Sequence, residues 1–309
     1  MLNESLEKLV RARIEVVRPI IDRNFALAEE ARQAGDMKAY LAKRYIGHCP
    51  DLYWMLEEYD VAKHYYRLAA GVRLEERIWY EAHDPTYLPL MDRGLAVDAP
   101  VFIQAGMLDQ GKEWLERAYR WEMEQKDGPN HYHMRNIGLF AAQAGMKELA
   151  GCVQYYVDAQ LHMLRRSAEK TRRAAIYIHH IEPAEAQFLL GEFEESKRNL
   201  EQVLEGERFC QEQKVTGYHI PASERNFIFK KAKGLYKIIG MLENGKDGQS
   251  AYKEITAGLE KAMMWAWRQG DVTSECYRLR LYTLMAKDIL QGRKPNPNPF
   301  AEISSALGD

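Results

Sequence analysis

The side chains in this 309-residue chain that could do chemistry are two histidine pairs, a cysteine beside a histidine and two glycine-lysine loops. His131 and His133 flank Tyr132, and His179 precedes His180. Imidazoles raise the question of a metal. On a helix, ligands share a face only three or four residues apart, and closer neighbours diverge by about 100° per residue. His131 and His133 could meet on an ion only in an extended loop, and no His-Glu-x-x-His motif occurs. Satisfied or solvent-facing imidazoles near a turn are the simpler reading. The catalytic alternative is an all-α, metal-dependent enzyme. Its pocket would lie beside the segment Glu81 to Pro100, with His83, Asp84, His131, His133 and His179 converging there.

Cys49 follows His48 and precedes Pro50, a residue suited to a helix start, where the dipole can lower a thiol pKa. No third group is visible to orient the histidine, so a small buried hydrophobe is the expectation. Gly106 to Lys112 supplies most of a phosphate-binding loop. Glu113, however, stands where a magnesium-binding hydroxyl is needed, and no strand precedes it. Gly240 to Lys246 repeats the same pattern almost residue for residue, which points to a structural turn used twice. Neither a cofactor nor a resident metal follows from these motifs.

Basic residues cluster at Arg165, Arg166, Lys170, Arg172 and Arg173, and again at Arg225, Lys230, Lys231, Lys233 and Lys237. They read as solvated helix faces joined by weak ion pairs, with an acidic partner as the sharper alternative. The chain carries 18 Tyr and 6 Trp, with doublets at Tyr65-Tyr66, Trp79-Tyr80 and Tyr155-Tyr156. Neighbouring helical side chains diverge, so some of these rings must sit at intermediate exposure, where their polar edges suit a contact surface.

The elements that must carry these residues are helices. Leu6, Leu9, Val10, Ile14, Val17, Ile21, Phe25 and Ala28 recur at intervals of three and four, and the same period returns over 186–204 and 275–290. Pro19 predicts a kink or a fresh helix start. Ile176 to Ile178 and Phe227 to Phe229 look strand-like but lack pairing partners, so the fold class is all-α. Helical segments break at Gly35, Gly106, Gly145, Gly191, Gly240 and Gly270, and each restarts at once. Glu81 to Pro100, with Pro85, Pro89 and Pro100, predicts a packed surface loop, and 126–132 a turn.

Gly191, Phe193, Ser196 and Leu200, together with Tyr59, Ala62, Tyr66 and Ala69, resemble the tetratricopeptide-repeat family in their spacing of turn glycine, aromatic, small and bulky residues. The glycine-to-glycine distances of 39, 46 and 49 residues over Gly106, Gly145, Gly191 and Gly240 exceed that family's period of about 34. Helix pairs of unequal length, or short extra helices between them, are therefore expected. The resemblance implies stacked antiparallel helix hairpins in a right-handed superhelix over 1–291. It also implies a concave groove that holds a protein or peptide. By the same resemblance the groove would be lined by Arg44, Asp51, Trp54, Tyr132, Arg135, Gln143, Glu185 and Phe188. A Pro-rich tail, 292–309, would be mobile or draped on the body.

Composition is consistent with that picture. Forty-three basic residues face 45 acidic ones, for a net charge of -2 and a pI near 6.5, which disfavours a nucleic-acid partner. No apolar run reaches the roughly 18 residues of a membrane span, and the charged start does not read as a signal peptide. Cys49, Cys152, Cys210 and Cys276 lack finger or redox spacing, so reduced thiols in a cytoplasmic protein are expected. The function implied is a non-catalytic interaction module for one protein partner, such as an immunity-type inhibitor, adaptor, chaperone or regulator. Its uncapped ends would also leave room for homo-oligomers.

Overall fold

A computed structural model describes residues 4–215, 222–244, 248–269 and 274–301. All regular structure among them is helical. No strand occurs, and the strand-like runs at 176–178 and 227–229 lie inside helices. Chain order gives α1 (Glu4–Gln33), α2 (Met37–Lys43), α3 (Cys49–Met55), α4 (Tyr59–His83), a 3-10 turn (Pro85–Tyr87), α5 (Leu88–Asp92), α6 (Leu95–Gln104) and α7 (Leu108–Met123). There follow α8 (His131–Gln143), α9 (Lys147–Ala150), α10 (Val153–Met163), α11 (Glu169–His179), α12 (Ile181–Leu190), α13 (Phe193–Glu212), α14 (Ala222–Asn244), α15 (Gly248–Arg268) and α16 (Ser274–Leu290).

The apolar period decides which faces are buried. In α7, Gly111, Trp114, Leu115, Ala118 and Glu122 form one buried stripe, and in α13 Ser196, Leu200, Val203 and Gly206 do the same. The small residues of these stripes stand where helices approach closely. A Cβ on Gly111 would run into the Ile103 side chain of α6, and Ser196 Oγ reaches across to donate to the Ala184 carbonyl of α12 at 2.7 Å. Neighbours in sequence pack as hairpins: α3 on α4, α6 on α7, α8 on α10, α12 on α13 and α14 on α15. The first members of several pairs also touch one another, α6 on α8, α8 on α12 and α12 on α14. One contiguous apolar core runs from Leu6 to Phe300.

Glycine breaks occur at Gly35, Gly106, Gly145 and Gly191, all at positive φ. Gly240 is different, because α14 continues through it to Asn244; the second loop-like motif ends at Gly245 and Lys246, which lie outside the described residues, as does Gly270. Pro19 neither ends nor restarts α1, which is one helix of 30 residues. The expected loop at 81–100 is corrected: it is built from the end of α4, a 3-10 turn, α5 and the first half of α6. Pro85 and Pro89 fall in first turns, where a missing N–H costs nothing, and Pro100 lies inside α6.

Over most of its length α16 has no solvent face, a trait it shares with the shorter α3, whose residues Cys49–Met55 are all buried. Every residue from Glu275 to Thr283 is buried, including Arg278 and Arg280 at 1% exposure each. It packs on α15, α14 and α3, so it runs between the last hairpin and the first. Residues 292–301 then drape on the body and end with Phe300 buried.

Candidate binding site

Of the eight residues expected to line a groove, Trp54, Arg135, Gln143, Glu185 and Phe188 each contact α16 of the same chain. Trp54 of α3 is fully buried: its Nε1 donates to the Tyr277 carbonyl at 3.1 Å, its ring stacks on Tyr277 at 5.2 Å, and Phe300 meets it edge-on at 5.3 Å. Gln143, at the end of α8, donates from Nε2 to Tyr277 Oη at 2.9 Å and to the Pro297 carbonyl at 2.8 Å. Its own carbonyl accepts from Asn298 Nδ2 at 2.7 Å. Phe188 of α12 meets Tyr282 edge-on at 5.5 Å. Tyr132 makes no such contact: it is 57% exposed, with its ring 5.6 Å from Tyr156.

Arg135 and Glu185 belong to a buried network of three cations and three anions that ties α16 to α8, α12 and α14. Arg135 reaches Glu182 at 2.7 Å and Glu275 at 2.6 Å. Glu275 also meets Arg278 at 2.7 Å and Lys231 at 3.3 Å. Glu185 receives Arg278 at 3.0 Å, Lys231 at 2.8 Å and the Tyr282 hydroxyl at 2.6 Å. Burial alone would push Glu275 up, but Arg278, Lys231 and Arg135 outweigh it and hold the carboxyl well below the usual range. Lys231 is likewise penalised by burial, yet Glu185 and Glu275 raise it above an ordinary lysine. Lys231 is therefore not part of a solvated basic face, unlike Lys233, which pairs with Glu207 at 2.7 Å.

Arg44 and Asp51 sit elsewhere, in the wall of a cavity of 190 Å³ bounded by the α2–α3 connection, α4, α6 and α8. Asp51 accepts the Tyr66 hydroxyl at 2.6 Å, and Arg44 donates to Tyr40 Oη at 2.7 Å and pairs with Glu75. Asp98 and Arg73 meet at 3.1 Å in the same wall, with Gln104, Asn136 and Phe140 beside them.

Of the residues weighed for catalysis, His83, Asp84, His131 and His133 do not converge, while His131 and the buried His179 both pack on the Tyr156 ring, at 5.9 Å each. His131 and His133 lie on the first turn of α8, which Asn130 caps by accepting from the Tyr132 and His133 backbone N–H groups at 2.9 and 3.4 Å. They therefore diverge: His131 lies against the Tyr132 ring, and His133 Nδ1 is 2.5 Å from the buried Glu122. His83 turns back to the Trp79 carbonyl at 3.0 Å, and Asp84 pairs with Lys38 at 2.6 Å. Among the described residues no three His, Cys, Asp or Glu side chains are placed to share a metal ion. Burial pushes the Cys49 thiol up to about 11, which removes it as a nucleophile near neutrality. No helix among the described residues is long and apolar enough to cross a membrane.

Sequence reasoning missed that α16 packs against these residues through its own Glu275, Arg278 and Tyr282, and missed Glu182 and Lys231 of the same ion network. The one available signal was composition. Arg278 and Arg280 alternate with Tyr277, Leu279, Leu281 and Tyr282, so a solvent-exposed polar face has nowhere to lie. Compared with known proteins, the chain matches no family model, no curated protein and no solved structure.

Proposed function

We propose that this chain is a degenerate helical-repeat protein of the tetratricopeptide type, a right-handed stack of hairpins that acts in the cytoplasm without catalysis by binding one protein partner. An immunity-type inhibitor, an adaptor or a regulator all suit that reading. One observation carries it: α3, α8, α12 and α14 together hold a helical segment, the chain's own α16, by aromatic contacts and paired charges. Laying a helix along such a groove is a recurrent mode of recognition. With α16 seated, a partner meets the rim at Tyr132. It can gain the Trp54 and Gln143 surface by displacing residues 292–301.

The reading is tested by affinity capture from the source cell with three chains: the wild type, Tyr132→Ala, and a chain ending at Gln291. One stoichiometric protein should be retained by the wild type, weakened by Tyr132→Ala and strengthened by the truncation. Equal retention by all three, or none by any, would overturn the assignment of this surface. Trp54 and Arg135 are unsuitable for such a test, because both are structural in the unbound chain.

A further inference from the structure

The 190 Å³ cavity beside Arg44 and Asp51 lies outside the ion network that seats α16, and touches that helix only through Tyr66 and Phe140, whose rings pack on Tyr277 at 6.1 and 6.2 Å. Room for roughly six waters, at about 30 Å³ each, also admits a ligand of similar heavy-atom number. Its wall is divided. Val72, Val97 and Val101 make an apolar side, and Tyr66 and Phe140 add ring surface. The polar side sets Arg44, Arg73 and His48 against Asp51 and Asp98, with Glu75 and Glu76 behind the two arginines. Arg44 is taken up by Glu75 and by the Tyr40 hydroxyl. Arg73 is shared between Glu76 and Asp98, both at 3.1 Å, so one guanidinium serves two carboxylates. Asp51 adds a carboxylate that accepts the Tyr66 hydroxyl and has His48 Nδ1 at 3.8 Å.

Gln104 supplies an independent pointer. Its side chain lines the cavity and is only 7% exposed, yet it makes no hydrogen bond among the described residues. Its amide faces the open cavity space without a protein partner, so a ligand or water there is what satisfies it. We propose that this cavity is a binding site for a small organic ammonium ion with a short apolar group, either a free amine or the first residue of a peptide with an unblocked N-terminus. The ammonium would sit against Asp98 and the Gln104 amide oxygen, with its apolar group among Val72, Val97 and Val101. Burial, only partly offset by Arg73 and then opposed by Glu76, leaves the Asp98 carboxyl raised and short of positive charge, which a bound cation would correct. An anion of the same shape would face those carboxylates and be rejected.

Calorimetric titration of the full chain tests this with four probes: isoamylamine, its carboxylate counterpart isocaproate, leucinamide and N-acetyl-leucinamide. The expected result is saturable millimolar or tighter binding of isoamylamine, with none of isocaproate. Leucinamide binding that acetylation abolishes would identify a peptide N-terminus as the source, and isoamylamine binding alone a free amine. Asp98→Asn should weaken the amine at least tenfold with helix content unchanged. Val101→Phe, which fills the cavity from its apolar side, should abolish binding even if Asp98→Asn fails to fold. Absence of amine binding, equal affinity for isocaproate, or an undiminished affinity in Val101→Phe would overturn the proposal. The site stands apart from the groove reading, since these probes bind or fail to bind whether or not a protein partner exists.

Discussion

At Gly106 two demands fall on one residue. Its φ of +79° is left-handed, and a Cβ there would meet the Phe300 carbonyl. Gly145 has a similar φ of +76° with open space around it. Gly145→Ala should therefore cost about 1–2 kcal/mol, the conformational penalty alone. Gly106→Ala should cost more and lift the tail, moving Trp54 emission to longer wavelength; urea unfolding with tryptophan fluorescence checks both. Thiol accessibility follows the same local logic. Cys49, Cys152 and Cys276 are buried and Cys210 is half-buried, and burial pushes both Cys49 and Cys152 up to about 11. With a chromogenic disulfide at neutral pH, Cys210 should react first, and the other three only at the rate of unfolding.

The element that decides the architecture is α16. A helix buried on all sides needs its charges paired, and the six-membered network does that while fixing its register against α8, α12 and α14. Removing one member strands the others, so Arg278→Met should destabilise by about 3–5 kcal/mol. Tyr282→Phe, which removes only the hydroxyl bound to Glu185, should cost about 1.5–3 kcal/mol. The pH dependence has a definite sign. Glu275 and Glu185 are held below their unfolded value of about 4.3, so the stability they add is present above that value and is lost as pH falls from there through their lower folded values. Lys231 is raised above about 10.4, so its contribution is present below that value and is lost as pH climbs past it. Urea midpoints measured against pH should show a plateau between about 5 and 10 that falls on both sides. A flat profile below pH 5 would contradict the paired state of these carboxylates.

Over the whole molecule, residues 292–301 complete the core. Phe300 packs against Trp54 and Tyr66, and Gln143 clamps Pro297 and Asn298. Ending the chain at Gln291 should lower stability by about 1.5–3 kcal/mol, the worth of one buried large side chain. Helix content should hardly change, and the Trp54 and Tyr66 face should open. Circular dichroism with denaturant titration reads the first two effects and acrylamide quenching the third. A truncated chain as stable as the full one would mean that residues 292–301 do not hold this position in solution.

The local features were legible in the sequence because their causes are local. A 3.6-residue apolar period is helical wherever it occurs, and Gly35, Gly106, Gly145 and Gly191 end helices because few other residues adopt a left-handed φ cheaply. Gly111 and Ser196 announced close helix approach by their size. Gly240 misled because a glycine can also be carried inside a helix, and the prolines at 85 and 89 because a first turn tolerates what an interior does not. What no local pattern contains is the occupant of a surface. Trp54, Arg135, Gln143, Glu185 and Phe188 were expected to face a partner, but each contacts α16, more than 80 residues away in every case. Such contacts are set by which helix reaches the space with matching charges, and only the tertiary structure decides that, because burial and charge pairing belong to the assembled chain.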